Sequence, residues 1–140
     1  MTTAPEIVIR LAGGRRVDAL VRGHTVHTDQ PVANGGEDTA PSPFELFLAS
    51  IGTCAGIFVQ GFCAKRGIPF EDIRIVEHPL VDEKGALVRL ELDLQLPVDF
   101  PEKYRPALLR VVEECSVKRS IAAQPEIKVN TSVKAGRTAE

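Results

Sequence analysis

The sequence predicts a mixed α/β (α+β) chain, on three observations. Short extended runs punctuated by glycine open the chain, one long uncharged helix follows, and of two later strands the second carries a residue-by-residue alternation of apolar and polar side chains. The opening runs are Glu6–Leu11, Arg16–Arg22 and His24–Asp29. Gly13-Gly14 and Gly23 lie between them and read as the turns of a small antiparallel meander. Gln30 to Pro41 is rich in Gly, Asp, Asn and Pro and reads as a surface loop.

The first helix has well-marked ends. Ser42-Pro43-Phe44-Glu45 is a capping box with proline at the first helical position. Lys65 and Arg66 suit the negative end of the helix dipole, Gly67 suits a left-handed stop, and Pro69 prevents resumption. No charged side chain occurs from Leu46 to Ala64, and apolar residues lie all around the helix. Such a helix is expected to be surrounded by protein. Gly52, Gly56 and Gly61 each cost roughly 1 kcal/mol against alanine, which predicts close approach of another backbone, such as the same helix of a second subunit.

Ile73–Val81 and Ala86–Leu96 flank the turn Asp82-Glu83-Lys84-Gly85. Leu90, Leu92, Leu94 and Leu96 alternate with Glu91, Asp93 and Gln95, which marks one buried and one wet face. A second helix is expected over Glu102–Glu114, with Leu108, Val112 and Cys115 on one face. A helical turn at Ser116–Ala122 and a last strand at Glu126–Val133 complete the reading.

The 140 residues fit one domain, 1–140, and the 44% hydrophobic content suffices for an aliphatic core. A net charge of −2 argues against bulk attraction to nucleic acid or an anionic membrane. Met1–Arg10 lacks the basic start and apolar run of a signal peptide, so a cytoplasmic location is expected. A disulfide there is more often catalytic or regulatory than structural. Leu46–Ala64 is long enough to cross a membrane. Against that stand Ser50, Thr53, Gln60, three glycines and the strands on both sides, which need something to pack against.

Of the three cysteines, none forms a C-x-x-C pair. Cys54 and Cys63 point to roughly opposite sides of one helix, about 13 Å apart along its axis, too far for a disulfide. Cys54 and Cys115 remain the geometrically open pair, either as a redox couple or as plain packing, since free cysteine often serves as a small buried hydrophobe. Cys63 reads as packing. Cys115 is expected at the junction between two helical segments, a setting that can activate a thiol, with Lys118 and Arg119 adding positive charge nearby. Cys54 has no such local help, so as a nucleophile it would need a cation from elsewhere in the fold. His24 and His27 fall on opposite faces of a strand, so no metal site is expected.

Gly35-Gly36-Glu37-Asp38-Thr39-Ala40-Pro41-Ser42-Pro43, Glu45-Leu46-Phe47-Leu48-Ala49 and Gly52-Thr53-Cys54, followed later by Glu114-Cys115-Ser116-Val117-Lys118-Arg119-Ser120, resemble the signature of the OsmC/Ohr family. These are osmotically inducible protein C and the organic hydroperoxide resistance proteins; the general OsmC-like branch is the nearer. The resemblance implies an α/β fold in which antiparallel sheets wrap long central helices in an intertwined homodimer. It implies reduction of organic hydroperoxides, with Cys54 as the peroxidatic thiolate and Cys115 as its disulfide partner. An external dithiol, a lipoylated protein or a small thiol, would restore both, with no bound cofactor. It further implies an arginine from an early strand, for which Arg22 is the candidate with Arg16 behind it, and a glutamate at the helix start, matched by Glu45. Many relatives have proline after the second cysteine, where this chain has Ser116. The rival expectation is a non-catalytic protein holding an apolar small molecule at the dimer interface, with the thiols as packing.

Overall fold

The computed structural model describes residues 1–135. The meander forms as β1 (Val8–Gly13), β2 (Arg16–Val21) and β3 (His24–Thr28), antiparallel in that order. Asp18 stands opposite Arg10 on one side and His27 on the other, and both bond its carboxylate, at 3.2 and 2.9 Å. His27 is thereby engaged with a carboxylate across the strand. The β2–β3 turn has Arg22 at φ 48° and Gly23 at φ 80°, the two left-handed residues that a tight hairpin requires.

Asp29 organises the loop after β3. Its side chain is 1% exposed and accepts hydrogen bonds from Thr39 Oγ1 (2.7 Å), the Thr39 N–H (3.0 Å), the Gln30 N–H (2.8 Å) and the Glu37 N–H (3.3 Å). Gly36 passes so close to the Gln30 carbonyl that a Cβ there would collide with it. The loop so folded ends at Ser42, which caps α1 (Pro43–Ala64) with the predicted reciprocal box: Glu45 N–H to Ser42 Oγ at 3.3 Å and Ser42 N–H to Glu45 Oε2 at 2.8 Å. Gly67 takes φ 63° and stops the helix as predicted.

β4 (Arg74–Val81) and β5 (Leu87–Gln95) pair as a two-stranded antiparallel sheet. Asp82 Oδ1 closes their turn by accepting from the N–H groups of Lys84 and Ala86, both at 2.9 Å. A single 3-10 turn, Glu102–Tyr104, leads into α2 (Arg105–Glu113), so the second helix starts later than the pattern suggests. Cys115 sits at the kink before α3 (Ser116–Ala122). The core joins Ala55, Val59, Phe62 and Cys63 of α1 to Leu108 and Val112 of α2, with Leu92 and Leu94 of β5 packed beside them. Leu108 is fully buried, which stabilises the fold by roughly 1.5–3 kcal/mol.

Two expectations change. The buried residues of α1 form one stripe, Ile51, Ala55, Val59, Phe62 and Cys63, while Phe44, Phe47 and Ile57 are exposed. A single chain supplies cover for only one side of the helix. The strand expected at Glu126–Val133 has no regular structure, and Ile127, Val129 and Val133 stand in solvent. An alternating pattern becomes a strand only against a free sheet edge, and among the described residues no strand pairs with it.

Folding lowers the Asp29 pKa from the ordinary 3.8 to about 2, chiefly through the Thr39 hydroxyl and then the N–H groups. A depressed acid stabilises fully above its unfolded value and loses that contribution as pH falls toward the folded one. D29N is expected to lower Tm by several degrees at pH 7, with the gap closing between about pH 4 and pH 2. Thermal unfolding followed by circular dichroism checks this; equal Tm values at pH 7 would show the clamp to be dispensable.

Candidate active site

Cys54 lies on the fourth turn of α1 and faces the kink between α2 and α3. It is partly exposed, contrary to the deep burial its uncharged helix suggests, whereas Cys63 and Cys115 are fully buried. The Ser116 hydroxyl oxygen is 3.4 Å from Cys54 Sγ. Hydrogen bonds from that hydroxyl, then from the Cys115 thiol and the Val117 N–H, with a smaller one from the Ser116 N–H, outweigh partial desolvation and bring the Cys54 pKa down to about 7. About half the thiol is therefore ionised at neutral pH. The expectation that Cys54 needs a distant cation is corrected: neutral donors at the start of α3 supply the effect.

The structure brings Cys54 and Cys115 together and leaves Arg22 and Glu45 elsewhere. Arg22 is exposed at the tip of the β2–β3 turn, one residue beyond the strand on which it was expected. Glu45 is occupied with the cap, about 13 Å back along α1. Neither is among the groups acting on the Cys54 thiol. Lys118 pairs with Glu113 at 2.6 Å. Burial pushes the Cys63 thiol up, with Arg66 only partly opposing it, which suits the packing role read from sequence.

Sequence reasoning missed two residues. Ser116 was noticed only as a departure from a proline, although its hydroxyl is the largest influence on Cys54. Glu77 was not noticed. It points from β4 onto α1 at Gly52, where a Cβ would collide with its carboxylate. The close approach that this glycine permits is thus to a side chain. Glu77 lines a groove of about 440 Å³ with Gly52, Gly56, Ile57, Phe70 and Ile75, and its Oε2 is buried without a partner among the described residues. The available signal was its place on the same strand face as Ile75.

Fold and site together define an α+β protein built around two facing thiols. The family model for OsmC-like proteins matches residues 35–130, and the chain belongs to that family. Its structure is similar to that of an OsmC-like protein from Mycoplasma pneumoniae (TM-score 0.71, 13% identity, covering 94% of this chain and 98% of that one). It is also similar to a protein from Psychrobacter arcticus provisionally described as an osmotic stress induced and detoxification response protein (TM-score 0.74, 16% identity, 86% and 90% covered). A third likeness is to an organic hydroperoxide resistance protein from Legionella pneumophila, described as a predicted redox protein (TM-score 0.50, 19% identity, 86% and 91% covered). Among curated proteins none matches the sequence significantly.

Desolvation raises the Glu77 pKa above the ordinary 4.5, with the nearby Gly52 N–H opposing it less strongly. A raised acid costs stability as pH climbs through the folded value, since the buried carboxyl must then ionise. E77Q is expected to raise Tm at pH 8 by roughly 2 °C and to match the parent near pH 4. A Tm that falls at pH 8 would mean that the ionised carboxylate has a partner in solution.

Proposed function

We propose that this chain is a thiol-dependent peroxidase that reduces organic hydroperoxides to alcohols. The observation that carries the proposal is a partly exposed Cys54 thiol made more acidic by its neighbours at the kink before α3, the Ser116 hydroxyl first and the buried Cys115 thiol next. Membership of the OsmC-like family and the hydroperoxide-resistance description of the Legionella relative support it.

In this reading the Cys54 thiolate attacks the terminal peroxide oxygen. The O–O bond breaks, Cys54 becomes a sulfenic acid, and the departing alkoxide takes a proton to leave as an alcohol. The Cys115 sulfur then attacks the sulfenic sulfur, forming a disulfide and expelling water. Cys115 is among the groups that act on the Cys54 thiol, and the disulfide closes at roughly 2.05 Å. An external dithiol, a lipoylated protein or a small thiol, reduces the disulfide by exchange and is itself oxidised. The cytoplasm, where such reductants are maintained, is the proposed location.

The proposed assembly is a homodimer. The open side of α1, the unpaired segment at 126–133 and the exposed Ile7, Val8, Ile9 and Leu11 are apolar surfaces in want of cover. Arg22 and Glu45 keep a role at Cys54 only through a second subunit. Sedimentation is expected to give twice the chain mass; a monomer at micromolar concentration would remove both residues from the scheme.

One equivalent of an organic hydroperoxide is expected to remove two hydrogens from the reduced protein, mapped to a Cys54–Cys115 disulfide by peptide mass analysis. C54S is expected to abolish peroxide consumption. C115S should leave a sulfenic acid on Cys54 that a dimedone-type reagent traps. The peroxide rate should climb with thiolate fraction, at half its plateau near pH 7. Unchanged thiols, under conditions that oxidise a control peroxidase, would favour the apolar-ligand carrier instead.

A further inference from the structure

We infer that Ser116 is a positioning residue for Cys54, its hydroxyl donating a hydrogen bond to the thiolate and holding Sγ at the kink between α2 and α3. The catalytic consequence rests on the peroxidase reading; the hydrogen bond itself does not.

The geometry carries the inference. Ser116 Oγ and Cys54 Sγ are 3.4 Å apart, although their residues lie far apart in sequence. Either atom can donate while the thiol is protonated, but a thiolate has no proton, so ionisation fixes the hydroxyl as the donor. The bond thus favours the charged form, which is the direction that lowers a thiol pKa. Among the described residues the Ser116 hydroxyl has no competing hydrogen bond, and the Ser116 carbonyl is taken by Ser120. Ser116 is itself exposed, so burial does not dictate its side chain.

Ser116 is also the first residue of α3, and the N-cap before it, Cys115, offers no side-chain cap. The N–H of that first residue has no acceptor within the helix. Serine at this position therefore presents two donors, hydroxyl and N–H, on the Cys54 side. Alanine would present one and proline neither, while all three are compatible with a first helical position.

The test is the pH profile of Cys54 alkylation by iodoacetamide, read by peptide mass on full-length protein with the parent Tm confirmed for each variant. S116A is expected to move the midpoint upward, so that the rate at pH 6 falls about five- to tenfold while the rate at pH 10 is unchanged. S116P is expected to move it further, because the N–H is lost as well. S116T, which keeps a hydroxyl, is expected to return toward the parent profile. Superimposable profiles for S116A and the parent would overturn the inference, as would an alanine-like profile for S116T. The peroxide kcat/KM should fall by the same factor at pH 6. Shifted alkylation without any peroxide turnover would sink the peroxidase reading and leave the Ser116 contact standing.

Discussion

The fourth turn of α1 packed against the kink between α2 and α3 is the constraint on which the site depends. Cys54 alone, on an uncharged helix, would be a thiol of ordinary acidity or lower, because partial desolvation disfavours its anion. The kink brings it a hydroxyl, two N–H groups and a second thiol at once. That juxtaposition follows from the core: Ala55, Val59 and Phe62 seat α1 on Leu108 and Val112, and Cys115 continues the α2 face that carries Leu108 and Val112. Anything that lets the two helices slide disperses the donors, even with every site residue present.

How much of this was legible in the sequence depends on the range of the interaction involved. The capping box at Ser42 and Glu45, the glycine stop at Gly67 and the alternating leucines of β5 are set by near neighbours, and all were read at their true positions. The pairing of Cys54 with Cys115 was one of two open alternatives until the family resemblance weighted it. The donors that act on Cys54 were illegible, because they reach it across a tertiary contact that no local pattern reports. Glu77 was hidden for the same reason: its desolvation depends on Gly52 from another element. Arg22 was placed on a strand because polarity does not reveal that a hairpin turn needs two left-handed residues there, a conformation usually given to Asn-Gly.

The surfaces left over have a common pattern. α1 buries one stripe and exposes Phe44, Phe47 and Ile57; the meander exposes Ile7, Val8, Ile9 and Leu11; the segment at 126–133 keeps an apolar alternation with no strand beside it. A lone exposed leucine or valine is ordinary, but several contiguous apolar features in one small chain exceed what a solitary monomer usually leaves open. The sequence expectation that α1 is enclosed and that the last segment is a strand fails within one chain for one reason, the absence of a second layer.

The three thiols separate three physical influences that are often merged. Cys63 is buried and its anion is disfavoured by desolvation, with only Arg66 in partial opposition. Cys115 is equally buried but lies against another thiol, so it can react only with something already inside the fold. Cys54 is partly open, and donors outweigh its desolvation. Burial therefore sets which thiols external reagents can reach, and hydrogen-bond donors set which of the reachable ones ionise near neutral pH. Only Cys54 satisfies both conditions. An oxidant from solution meets that residue first, and the sulfur it oxidises then lies beside a thiol that solvent cannot reach. The order of events in the proposed cycle thus follows from access and acidity.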